Sequence, residues 1–232
     1  MLANTAEQDV PCRHRVGYEI QVEGDRLQLR ENGAWLASVA TPDEALAVLD
    51  DRLRRRVFDY LARAGWLLLD AGLAATEGRR FLTVGGTGGS RAALLVRMLG
   101  GGDLVEGADV VIARGGEAVG VPLPLRVEGS SVEPAALGLE WRLSRAPVSA
   151  LVVLDRQAPS VAAVEPLTGA AATEAVLRAR VPAPALGRSA AVREAVLLLR
   201  DVETYRVRID DITTAAVLVR EALGRPTRRT HG

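Results

Sequence analysis

The sequence predicts an α/β protein that opens with an antiparallel meander, and three observations carry that prediction. An apolar run, Phe81 to Val84, passes through the glycine loop Gly85-Gly86-Thr87-Gly88-Gly89 directly into Ser90 to Leu99, where apolar residues recur at helical spacing. Ahead of it, short alternating segments are separated by turn pairs. After it, buried-strand and helix patterns alternate to the end of the chain, the order expected of an α/β layer architecture.

Element by element, Val16 to Glu23, Arg26 to Arg30 and Ala34 to Val39 read as strands joined at Gly24-Asp25 and Asn32-Gly33. Thr41-Pro42-Asp43-Glu44 combines an N-cap, a proline at the first helical position and a glutamate in capping-box register. The helix it starts places Leu46, Leu49, Leu53, Val57, Phe58 and Leu61 at apolar spacing. Arg52, Arg54, Arg55 and Arg56 are expected on a solvated face, and Gly65 supplies the stop.

Trp66 to Ala75 reads as one strand buried on both faces, with Asp70 as its single charge. Glu77-Gly78 turns the chain into the strand that feeds the glycine loop, and Gly100-Gly101-Gly102 ends the following helix. Ala108 to Ala113 and Ala118 to Val121 form a hairpin across Arg114-Gly115-Gly116, and Pro122 and Pro124 require extended chain. Residues 127 to 148, around Trp141, lack periodicity and are expected to be irregular. Strands are predicted at Ala150 to Leu154, Val161 to Val164 and Thr204 to Ile209. Helices are predicted at Thr168 to Arg180, from a Ser189 cap to Arg200, and at Asp211 to Leu223, with Pro182 and Pro184 marking a local linker. The whole reads as a single domain, 1–232, with flexible tails at 1–15 and 225–232.

Composition narrows the function classes. The 232 residues are 48% hydrophobic and 25% charged, with a formal net charge of zero, so nothing draws the chain as a whole to nucleic acid or to a membrane surface. Cys12 is the only cysteine, which rules out an intrachain disulfide and points to a reducing, cytoplasmic setting. Cys12 and His14 make too few ligands for a structural metal, and the only other histidine, His231, lies in the opposite tail. Every basic side chain is arginine. With no lysine anywhere, no chemistry that depends on a lysine amine is open to this protein.

The stretch 81–99 has the strand, glycine turn and helix of a P-loop, with its chemistry altered. The motif G-x-x-x-x-G-K-[ST] ends on glycine, lysine and a hydroxyl, and counting from Gly85 those places hold Ser90, Arg91 and Ala92. The backbone N–H groups of Gly85, Gly86, Thr87, Gly88, Gly89, Ser90 and Arg91 remain candidates for cradling a phosphate at a helix N-terminus. The hydroxyl that would hold Mg²⁺ is missing.

Trp66 to Leu125 resembles the HPr serine kinase/phosphorylase family in its buried strand, Glu77-Gly78 turn, glycine loop, Asp109-Val110-Val111 and Pro122-Leu123-Pro124. It is most similar to the shorter HPr-kinase-related proteins of bacterial ribosomal-peptide biosynthesis, which share the Gly65 to Leu69 strand entry and the Tyr205 to Leu223 strand and helix. The resemblance implies a P-loop, PEP-carboxykinase-like mixed sheet with flanking helices, and ATP- and Mg²⁺-dependent phosphorylation of a serine in a protein or peptide. Residue by residue the carry-over departs from the family. Asp70 stands where the family has a histidine, Arg91 and Ala92 where it has the lysine and hydroxyl, and Ala108-Asp109 where it has paired aspartates.

Asp109 and Asp70 are therefore the candidate catalytic groups, and no metal site is assigned. The leading expectation is a degenerate member, a pseudokinase acting as a binding or regulatory subunit for a biosynthetic peptide or partner enzyme, with nucleotide or phosphate as a further ligand. An active phosphotransferase using Arg91 and Asp109, with ATP and Mg²⁺, is the alternative. A changed chemistry in the same pocket is the third.

Overall fold

The computed structural model describes residues 16–86, 88–121, 123–127, 130–132, 144–155, 162–183, 185–208 and 211–224. Cys12, His14, Thr87, Pro122, Trp141, Pro184, His231 and both tails lie outside them. The chain divides into two compact units, Met1–Val57 and Phe58–Gly232.

In the first unit, β1 (Tyr18–Glu23), β2 (Arg26–Glu31) and β3 (Ala34–Val39) form the expected three-stranded antiparallel meander. Helix α1 (Pro42–Arg63) starts at the predicted cap: Glu44 N–H donates to Thr41 Oγ1 (3.2 Å), and the Glu44 carboxylate accepts from Ala40 N–H (2.8 Å). Its arginine face stays largely solvated, but two of its members have a partner: Arg52 and Arg56, 40% and 41% exposed, donate to the buried carboxylate of Glu31 on β2, at 2.7 and 2.6 Å, which Tyr18 Oη also meets at 2.9 Å. Leu46, Leu53 and Val57 are left 63%, 49% and 53% exposed.

The Arg56 and Arg52 guanidiniums hold the Glu31 carboxyl far below the usual carboxylate range. A depressed folded-state pKa contributes stability above the unfolded value, about 4.3, and loses it as pH falls toward the folded one. Thermal unfolding scanned downward from neutral pH is therefore expected to show a falling midpoint below about pH 4. Glu31→Gln should be less stable at neutrality and lack part of that acid slope; an unchanged slope would remove Glu31 from the account.

In the second unit the expected strand Trp66 to Ala75 is two strands in two sheets. β4 (Leu67–Asp70) pairs with β8 (Val110–Arg114), whereas β5 (Gly72–Thr76) pairs with β6 (Arg79–Gly85) and with β7 (Leu104–Gly107). The chain changes sheet at Ala71, whose N–H donates to the Asp109 carbonyl (3.3 Å). The other edge of β4 is taken by residues 179–181, with Asp70 N–H donating to Ala179 O (2.7 Å) and Val181 N–H to Leu68 O (3.0 Å). Both halves are buried, so one unbroken apolar run hides the bend.

Helix α2 (Gly88–Leu99) follows β6, and β9 (Glu117–Gly120) returns from β8 across the predicted Gly115-Gly116 hairpin. β10 (Leu125–Val127) and β11 (Ser130–Val132) pair with each other, and the short β12 (Ala146–Pro147) joins β9, so the stretch expected to be irregular contributes strands. β13 (Ala150–Asp155), β14 (Ala163–Pro166), α3 (Gly169–Arg178), α4 (Arg188–Leu198), β15 (Glu203–Arg208) and α5 (Ile212–Gly224) complete the unit. Thr168 caps α3 and Asp211 caps α5, each at the predicted start of its helix, but the N-cap of α4 is Gly187, which places Ser189 inside its first turn.

The main sheet is mixed and six-stranded, in the order β14-β15-β13-β6-β5-β7, with β13 parallel to both β6 and β15. Side-chain alternation splits its core in two. Leu82, Val84 and Leu151 pack with α3 and α4 residues such as Val176 and Ala195, while Phe81, Val152 and Val207 pack with Leu94, Met98 and Val219 of α2 and α5. The expected mixed sheet with flanking helices behind an antiparallel meander is what the chain forms. Where β7 approaches β9, a Cβ on Gly120 would come within 2.2 Å of the Glu106 carbonyl, so only glycine fits there.

Candidate functional site

The glycine loop sits between a central strand and a helix, as its sequence predicts. β6 lies inside the six-stranded sheet, ends on Gly85, and α2 opens at Gly88. Gly85 has φ +78°, and a Cβ there would lie 2.6 Å from the Leu154 carbonyl, so the loop can pass β13 only as glycine. Gly86 N–H donates to that same carbonyl (3.0 Å), tying the loop to β13 and using one candidate phosphate donor internally. Gly88 and Gly89 form the first turn of α2.

Arg91 decides what the loop can do. Its side chain is 2% exposed, donates to the Asp70 carboxylate in a close ion pair and to the Gly85 carbonyl at 3.3 Å, and leaves Nε without a partner among the described residues. Asp70, 61% exposed, stands at the lip of the cleft as the outer member of the pair. The cation is thus turned under the loop and neutralised, not presented to a ligand. Ser90 is buried, and Ala92, where the P-loop motif would have a hydroxyl, is fully buried.

The cleft has a volume of about 520 Å³ and opens at the C-terminal ends of β6 and β13, the crevice position where open α/β sheets bind ligands. Gly85, Gly86, Arg91 and Asp70 line it together, joined by Asp155, Glu174, Arg178 and Arg206. Asp155 ends β13 beside Gly85, with its carboxylate 3.9 Å from Arg206 Nε. Sequence reading missed it, although an acid closing the apolar run Ala150 to Leu154 was the available signal. Asp109 is not part of the lining; it lies half-buried in the β7–β8 connection, where its carbonyl holds Ala71. Ala108, the residue before Asp109, is packed in the core with Phe81 and Val152. Among the described residues no group of three or more His, Cys, Asp or Glu side chains is placed to hold a metal ion, and no helix is long and apolar enough to cross a membrane.

No protein-family profile matches the chain, and no curated protein matches it in sequence. Among solved structures it is similar to the HPr(Ser) kinase/phosphatase from Coxiella burnetii, over 67% of this chain and 95% of that one, at 11% identity and a TM-score of 0.37.

Proposed function

We propose that this protein is a non-catalytic binding or regulatory subunit built on an HPr-kinase-like scaffold, a pseudokinase whose loop cation is paired by a carboxylate of its own fold. The observation that carries this reading is the ion pair between the buried Arg91 and Asp70 at the lip of the cleft. Phosphoryl transfer needs a cation against the β- and γ-phosphates and a hydroxyl or carboxylate on Mg²⁺. Here the cation is already paired, the hydroxyl position is a buried alanine and the first aspartate position is core. The residues present therefore do not fit ATP with Mg²⁺, and no transfer step is derived through them. Its partner is a peptide or enzyme of a biosynthetic pathway, in keeping with the sequence resemblance.

One observation favours the active alternative, the Asp155 carboxylate beside the loop, where a metal ligand or base would be useful. Calorimetric titration with ATP, ADP and pyrophosphate, with and without Mg²⁺, separates the two. The expected result is no Mg²⁺-dependent ATP binding, for the native chain and equally for Arg91→Lys/Ala92→Ser, because Asp70 would pair with the new lysine. Mg²⁺-dependent binding by the native chain that Asp155→Asn abolishes would overturn the pseudokinase reading.

A further inference from the structure

We propose that the groove between α3 and α4 is a docking site for an acidic, amphipathic helix of a partner protein. This does not rest on the reading of the cleft. The groove, about 760 Å³, has a floor of small and apolar side chains, among them Ala170, Leu177, Ala191 and Val192. On α4, Arg188, Val192 and Val196 follow one another at four-residue spacing along one face, and Val192 and Val196 are 38% and 54% exposed. Two exposed valines in register with a cation make half of an amphipathic contact, the pattern a helix-in-groove partner completes.

Charge selects the partner. Arg178, Arg180 and Arg188 line the groove against a single acid, Glu174. Arg180 is fixed in place by the Leu186 and Ala183 carbonyls, at 2.7 and 3.1 Å. Arg178 is held only by an exposed pair with Glu174, the kind of contact a competing carboxylate exchanges at little cost. Arg188 has no partner among the described residues and stands at the first residue of α4, whose N-cap, Gly187, has no side chain to meet the first helical N–H groups. A cation is unfavourable beside the positive end of a helix dipole unless an anion joins it. Carboxylates flanking the leucines of an incoming helix would answer all three arginines. The zero net charge of the chain and the absence of aromatic side chains from the lining argue against nucleic acid.

The test is fluorescence anisotropy on the full chain with a labelled synthetic helix of about 15 residues, leucines at i, i+4 and i+7 and glutamates on both flanks. Its scrambled isomer, a lysine-for-glutamate version and phosphatidylserine vesicles are run in parallel. The acidic helix is expected to bind at micromolar affinity, and the scrambled and lysine peptides at least about tenfold more weakly. Arg188→Glu and Val192→Asp, both at exposed positions, should each weaken binding about tenfold, while Val217→Asp on the exposed face of α5 should leave it unchanged. No binding of the acidic helix, equal binding of the lysine peptide, or native affinity in both groove variants overturns the proposal. Vesicle binding lost in Arg188→Glu without peptide binding would make the surface a membrane contact and equally overturn it.

Discussion

Glu106→Ala is expected to cost about 3–5 kcal/mol of stability, because it strips the partner from a cation that stays buried. Arg80 on β6 donates Nε to Glu106 Oε1 at 2.8 Å and its other nitrogens to Glu106 Oε2 and to the Ser144 and Ala146 carbonyls. Both side chains are buried, so neither is rescued by water when the other is removed. Once the carboxylate is gone, only neutral carbonyls face the charge. The double replacement Arg80→Met/Glu106→Leu should recover most of the loss, since two well-packed apolar side chains carry no desolvation cost. Urea unfolding at neutral pH measures both. A single-variant loss under about 1 kcal/mol, or a double variant no better than the single, would mean that the pair is not what joins β7 to β6.

Asp70→Ala is the second large effect, expected at about 2–3 kcal/mol, smaller because Asp70 itself faces water and the attraction it contributes is partly screened. It leaves the Arg91 guanidinium under the loop with only the Gly85 carbonyl. The variant also opens a water-filled space of carboxylate size beside that cation. Formate should therefore raise the melting temperature of Asp70→Ala more than chloride at equal ionic strength, and should do little for the native chain. Asp70→Asn keeps the cover without the charge and should not respond. Equal formate responses in all three proteins would show that Arg91 does not depend on the Asp70 carboxylate and that the loop cation is not held by that pair.

Much of the site was readable as local chemistry. The glycine loop, the strand before it and the helix after it are consecutive in sequence, and the backbone geometry that Gly85 needs is a property of that residue. The caps at Thr41, Thr168 and Asp211 were equally local. Asp155 was not, because an acid at the end of an apolar run acquires meaning only once β13 lies parallel to β6 and brings Leu154 opposite Gly85. Asp109, the other candidate, lies in the β7–β8 connection and outside the cleft lining, a placement that depends on how the chain folds back and not on its neighbours in sequence.

What the sequence by itself determined is therefore the meander, the capped helix, the glycine loop with its flanking strand and helix, and the arginine and alanine that stand at 91 and 92. Period, capping and turn chemistry act over a few residues and are written in those residues. Only the tertiary structure decided that Trp66 to Ala75 divides between two sheets, that α1 turns Arg52 and Arg56 and not Leu53 and Val57 toward the meander, and that Arg91 faces Asp70. Each of those outcomes is settled by a partner distant in the chain. A buried strand has the same apolar pattern whichever sheet receives it, and an arginine has the same charge whether it meets a phosphate or a carboxylate from its own fold.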